Sequence, residues 1–355
     1  MGKTSSLSNF RQKARSVSGT MWPIDTRTKN ILRGKVMLPL NYLCWLPGRI
    51  SLEPLSTLEQ SHGLKPGACK VLQRYYSLHS VGMSSGTHAE MLVETLCALV
   101  MANPQVKEVK GCLVYAKTQT HNTFFDNRWL EEVAEACGIG HWEVLSVSLN
   151  HCSSALSAIH LLKNRSSKRG EPMILLTGEK AFHSAVNRLD NSVLAEIPAA
   201  MLLNAGPAQW NLTHTAVKHM SSFYDNHRHE SAVRRRELYA SLEQEYHDFY
   251  LTVLDKFNVP ADSIDAIVPC NLDLPMLERV VEKLNFKGIL FTRHVAEYGH
   301  AYCSDVLFNL SGLLEDFTGK RILCLTMGMG VTLSCVLIEK NENSEVLYVK
   351  SSVGG

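Results

Sequence analysis

The sequence predicts an α/β fold built from two like halves, a duplicated five-layer αβαβα sandwich. Three observations carry that expectation. Apolar strand-like runs alternate with amphipathic helix-like runs, the same order of elements occurs twice, and the chain is long enough for two cores. Its 355 residues are 45% hydrophobic and 20% charged, a globular profile. Alternation of this kind predicts mostly parallel sheets with helices on both faces.

The first half opens with the strand-like "GKVMLPLNYLCWLPG" and the apolar helix "HAEMLVETLCALVMAN". From residue 111, "GCLVYA" reads as a buried strand. "DNRWLEEVAEACGIG" is an amphipathic helix with a polar start and a glycine stop. "WEVLSVSL" is a strand, "HCSSALSAIHLLKNR" a helix with apolar steps of three and four, and "PMILLTG" and "AAMLLNA" are two more strands. The second half repeats the grammar. "DAIVPC" is a strand, "LPMLERVVEKLNF" a helix opened by Pro275, "GILFTR" a strand and "GHAYCSDVLFNLSGLLEDF" a helix; "RILCLTMGMG" and "VTLSCVLIE" close as a strand pair. So long a repeat duplicates a whole α/β unit and is no solenoid. The expected domains are residues 36–206 and 207–355, with 207–262 partly a polar linker. Residues 1–35 hold eight lysines and arginines against the single acid Asp25. They read as a flexible or loosely docked arm, the other reading being an organellar transit peptide.

Composition excludes several classes. A formal net charge of +2 makes no case for nucleic acid or a membrane surface as partner. No apolar run reaches the ~20 residues of a membrane span. Ten cysteines without a CxxC pair predict reduced, mostly buried thiols in a cytoplasmic protein. Their spacing to the histidines lacks the pattern of a zinc site, so no metal is expected. No P-loop, nucleotide-type GxGxxG or kinase signature is present.

The chemistry centres on Cys152, at the mouth of the helix that follows the second strand. A helix N-terminus stabilises a thiolate, and Ser153, Ser154 and Ala155 leave room for a thioester. The remaining cysteines, Cys270 and Cys303 among them, read as structural. A cysteine nucleophile needs a base. Among fifteen histidines, His300 heads the matching helix of the other half, at the point expected to be equivalent to Cys152. Asp305 lies five residues on, placed to orient the imidazole or merely to cap the helix. His151 adjoins the cysteine yet points elsewhere on entering a helix, a structural role; His227, His229 and Arg234–Arg236 read as solvated. Gly328 and Gly330 in "TMGMGVTLS" mark a turn whose exposed amides can help bind an oxyanion.

Four stretches, "SLNHCSSALSAI", "AIVPCNLDLPMLERVVEKL", "EYGHAYCSD" and "GMGVTLSCVLIE", resemble the thiolase superfamily, specifically its β-ketoacyl-acyl carrier protein synthase III-like branch. The resemblance runs from about residue 37 to 339 and implies the same duplicated sandwich, normally a homodimer, with a heterodimer of related subunits as the variant. It implies an acyl group loaded from coenzyme A or an acyl carrier protein onto Cys152, with no tightly bound cofactor. The family's histidine falls on Cys270, beside Asn271, and its asparagine on His300. The usual pair of donors for a decarboxylative condensation is thus altered. The resulting expectation is an acyltransferase of specialised metabolism working through an acyl-Cys152 thioester, with a small-molecule hydroxyl, amine or carbon acceptor. The alternatives are a condensing enzyme in which His300 and Asn271 exchange roles, and a non-catalytic partner subunit.

Overall fold

In the computed structural model, residues 37–119, 128–148, 150–181, 183–220, 232–329 and 331–342 are described, 232–235 by backbone alone. The N-terminal arm expected over residues 1–35, the loop histidines His227 and His229, and Gly330 lie outside them.

The first half contains β1 (Leu38–Trp45), the hairpin β2 (Ile50–Pro54) and β3 (Ser80–Ser84), and the short helices α1 (Leu55–Ser61) and α2 (Pro66–Arg74) between them. Helix α3 (His88–Ala102) follows, then β4 (Cys112–Ala116), α4 (Trp129–Ala136), β5 (Glu143–Val147), α5 (Ser154–Arg169), β6 (Met173–Thr177) and β7 (Ala199–Leu203). The second half runs β8 (Trp210–His219), α6 (Ala232–Phe257), β9 (Ala266–Pro269), α7 (Leu274–Lys283), β10 (Ile289–Leu290), α8 (Val295–Tyr298), α9 (Asp305–Leu314), β11 (Arg321–Gly328) and β12 (Thr332–Lys340).

Ten of the twelve strands form one hydrogen-bonded sheet in the order β10-β9-β11-β12-β8-β1-β7-β6-β4-β5, while β2 and β3 pair separately. The order is the same on either side of the β8–β1 pairing, so β1, β4, β5, β6 and β7 correspond to β8, β9, β10, β11 and β12. The sheet is mixed, a correction to the expected mostly parallel one. The outer ladders β5–β4–β6 and β10–β9–β11 are parallel, whereas β6–β7–β1–β8–β12–β11 is antiparallel throughout. In the second half β11 ends at Gly328 and β12 begins at Thr332, a separation so short that it can join only antiparallel neighbours.

Side-chain alternation along each strand separates the layers. On β4, Cys112, Val114 and Ala116 face the central core while Leu113 and Tyr115 face the α3/α4 layer. On β11, Ile322 and Cys324 face the same central core while Leu323, Leu325 and Met327 face α6 and α7. The central core is filled by α5 and α9, so five layers result. Helix α9 is buried along its whole length, as a helix between two sheets must be. Local signals set the ends. Thr87 and Glu90 form a capping box at α3, Gly170 at φ +65° stops α5, and Asp273 caps α7 ahead of Pro275.

Two expectations are corrected. Strand β8, which pairs with both β1 and β12, occupies sequence assigned partly to a linker. Its threonines disguise it: Thr213 donates to the Leu337 carbonyl at 3.4 Å, and Thr215 bonds to His160 at 2.8 Å. The thiols are not all free, because Cys97 on α3 forms a disulfide with Cys137 after α4; the other eight are free and buried. Among the described residues, no helix is long and apolar enough to cross a membrane.

Candidate active site

Cys152 sits in a 3-10 turn, His151–Ser153, directly ahead of α5, one step before the helical turn expected for it. Its Sγ lies 3.1 Å from His300 Nε2. The two come from opposite halves. His300 is fastened to the first half by its backbone, donating N–H to the Val193 carbonyl at 3.0 Å and accepting the Ala195 N–H at 2.8 Å. Nδ1–H of His300 donates to Asp305 Oδ2. Asp305 opens α9 and turns its carboxylate back over a second 3-10 turn, Tyr302–Ser304. Two backbone donors hold it there, Asn271 N–H to Oδ2 and Ala301 N–H to Oδ1, both at 2.6 Å. All three groups are withdrawn from water, with Cys152 7%, His300 0% and Asp305 1% exposed.

Burial by itself would lower the His300 imidazole. The charges of Asp305 and Cys152, with hydrogen bonds to both, push it instead well above the ordinary histidine value. An imidazolium 3.1 Å from sulfur stabilises a thiolate, and the Asp305 carboxylate fixes which ring nitrogen faces it.

Of the other residues singled out by sequence, Cys270 is buried and its thiol is pushed up to about 11, chiefly by burial. The Asn271 side chain is already engaged: Nδ2–H donates to the Gly299 carbonyl at 2.9 Å and Oδ1 accepts from Asn309 Nδ2–H at 2.7 Å. Gly328 ends β11, and a Cβ there would stand 1.9 Å from the Asn150 carbonyl oxygen. The close approach of β11 to the cysteine turn therefore demands glycine. His151 contributes its backbone, at φ +49°, its carbonyl accepting the Cys303 S–H at 3.3 Å.

The residue equivalent to Cys152 is not His300, as expected, but Cys303. Both 3-10 turns begin at a left-handed non-glycine residue, His151 at φ +49° and Tyr302 at φ +54°. Both continue Cys-Ser into a helix, α5 and α9. The serines bridge the halves reciprocally: Ser153 accepts from Thr326 at 3.2 Å and Ser304 donates to Thr177 at 2.8 Å. Thr118 Oγ1 stands 3.5 Å from each of the two sulfurs.

Sequence reasoning missed three neighbours. Glu179, fully buried, accepts the N–H of Thr118 at 2.5 Å and of Gln119 at 2.8 Å. Burial raises it to about 7 despite those bonds. Its signal was an acidic residue just past the carboxyl end of a buried strand, where such sheets place their sites; Thr118 stands at the matching point past β4. Tyr246 on α6 reaches Cys270, its hydroxyl 4.0 Å from Sγ, and in sequence looked only like a core aromatic.

Residues 254–340 match the family described as 3-oxoacyl-[acyl-carrier-protein] synthase III C terminal. No curated protein sequence matches the chain. Among solved structures, the fold is similar to the acyltransferase ChlB3 at TM-score 0.72 and 15% identity, covering 86% of this chain and 98% of that one. It is similar to 3-oxoacyl-[acyl-carrier-protein] synthase III of Aquifex aeolicus VF5 at TM-score 0.66 and 16% identity, covering 85% and 99%. The tetronic acid condensing enzyme AbyA1 gives TM-score 0.65 and 15% identity, over 85% and 99%.

Proposed function

We propose that this chain, which has the thiolase-like fold and carries a ketoacyl synthase III C-terminal segment, is an acyltransferase working through an acyl-Cys152 thioester. The observation that carries the reading is the buried run Cys152–His300–Asp305, with Sγ 3.1 Å from Nε2. It has the roles of a nucleophile, a base and an orienting carboxylate.

In loading, the Cys152 thiolate attacks the carbonyl carbon of a thioester from coenzyme A or a carrier protein. The carbonyl electrons move to oxygen, then return and expel the donor thiolate, which takes the Nε2 proton from His300. In transfer, an acceptor hydroxyl or amine attacks the new thioester and gives its proton to the now neutral Nε2. The intermediate collapses, and Cys152 leaves as a thiolate beside the re-formed imidazolium. Asp305 steadies that charge throughout. Likeness to the acyltransferase ChlB3 supports this reading.

Decarboxylative condensation is the second reading, and the condensing relatives favour it. Against it, Cys270 offers a weak donor where a strong one is needed, and the Asn271 amide is already taken by Gly299 and Asn309. Incubation with a panel of acyl thioesters and intact-mass measurement tests the proposal. Wild type should gain an acyl mass that Cys152→Ala lacks. No adduct from any thioester would mean a non-catalytic subunit, and a β-keto product with carbon dioxide release would establish condensation.

A further inference from the structure

Among the described residues, few buried polar atoms lack a hydrogen-bond partner, and one of them is the Tyr250 hydroxyl on α6. One turn earlier on the same helix stands Tyr246, 2% exposed. Its hydroxyl has only the Cys270 sulfur, at 4.0 Å, and a thiol is a poor acceptor. Cys270 is no remote neighbour of the reacting groups. It precedes Asn271, whose N–H holds Asp305, and the charges of His300, Asp305 and Cys152 all act on its thiol. The two tyrosines differ in this respect. Cys270 and Cys152 both add to the burial that raises Tyr246 well above the ordinary phenol value, whereas burial is the one cause acting on Tyr250. Tyr246 is thus a neutral hydroxyl whose proton has no good acceptor, 4.0 Å from the sulfur of a residue whose neighbour Asn271 holds Asp305.

We propose that the Tyr246 hydroxyl is a substrate-binding donor, giving its hydrogen bond to the carbonyl oxygen of the thioester that reacts at Cys152; this rests on the proposed acyl transfer. A thioester carbonyl is the acceptor the hydroxyl lacks. As Cys152 adds to the carbonyl carbon, negative charge grows on that oxygen and the bond strengthens.

The test compares Tyr246→Phe with Tyr250→Phe on the full chain. Acylation of Cys152 by acetyl-coenzyme A, or by whichever thioester loads wild type, should slow about 100–1,000-fold in Tyr246→Phe and stay within about 2-fold in Tyr250→Phe, in line with the loss of one oxyanion donor. Alkylation of Cys152 by iodoacetamide, which develops no oxyanion, should keep its wild-type rate in both. The melting temperature of Tyr246→Phe should hold or rise, because a hydroxyl without a good acceptor costs the free protein. Equal acylation rates, a parallel fall in alkylation, or a clear drop in melting temperature would each overturn the proposal. If no thioester loads wild type, acyl transfer itself fails, and the melting temperature alone still decides whether Tyr246 makes a structural bond.

Discussion

The two cysteine turns of this molecule share one backbone and differ in chemistry. His151-Cys152-Ser153-Ser154 and Tyr302-Cys303-Ser304-Asp305 enter their helices alike, each through a left-handed first residue. Cys152 faces His300 Nε2. Cys303 instead donates to the His151 carbonyl, and burial, then Glu179 and Cys152, push its thiol well above the ordinary range. The fourth residue completes the contrast. Asp305 orients the base of the site, whereas the Ser154 hydroxyl is buried without a partner. Duplication provides two similar thiols side by side, and of the two it is Cys152 that stands against the His300 imidazole.

The largest expected effect tests that division directly. Cys152→Ala should abolish the acyl adduct, while Cys303→Ala should leave it within a few-fold of wild type by intact mass. The reverse pattern would exchange the roles of the two turns. Asp305→Asn comes next. With the imidazole no longer oriented or charged, loading and transfer should fall by ~10²–10⁴ in single-turnover kinetics. It should also change the pH profile of stability. The raised imidazole contributes stability that is fully present below its ordinary value of 6.5 and fades as pH rises through its higher folded value. The wild type should therefore lose stability on going alkaline, and the variant should lose less.

Gly328→Ala presses on the shared frame. A methyl group 1.9 Å from the Asn150 carbonyl forces β11 and the Cys152 turn apart, at a cost of ~1–3 kcal/mol in denaturant unfolding, with loading slowed in the protein that folds. Glu179 offers the last test, one of stability alone. Its folded value of about 7 stands above the ordinary 4.5, so stability falls as pH climbs between those limits, by roughly 3 kcal/mol. Glu179→Gln should flatten that decline, and an unchanged slope would mean that the carboxyl is solvated.

Much of the fold is legible in the sequence because its strands are buried on both faces. "CLVYA" and "MILLT" are unbroken apolar runs bounded by glycine or polar residues, and the folded protein buries every residue of both. Strand β8 was harder, since threonines and a histidine interrupt its pattern and find partners only across the finished sheet. The pairing of Cys152 with His300 could be inferred because each stands a few residues ahead of the helix that fills the central core in its half. The likeness of Cys152 to Cys303 could not, because "HCSS" and "YCSD" match in two letters and their kinship lies in backbone conformation. Glu179 and Tyr246 owe their positions to tertiary packing. A lone glutamate after a strand and a tyrosine one turn from another on a helix look ordinary until the layers close over them.

Cys152 and His300 lie 148 residues apart, on opposite sides of the β8–β1 pairing. During synthesis the first half emerges from the ribosome before His300 has been made. On the proposed acyl transfer, Cys152 therefore gains its base only once the second half has packed against the first.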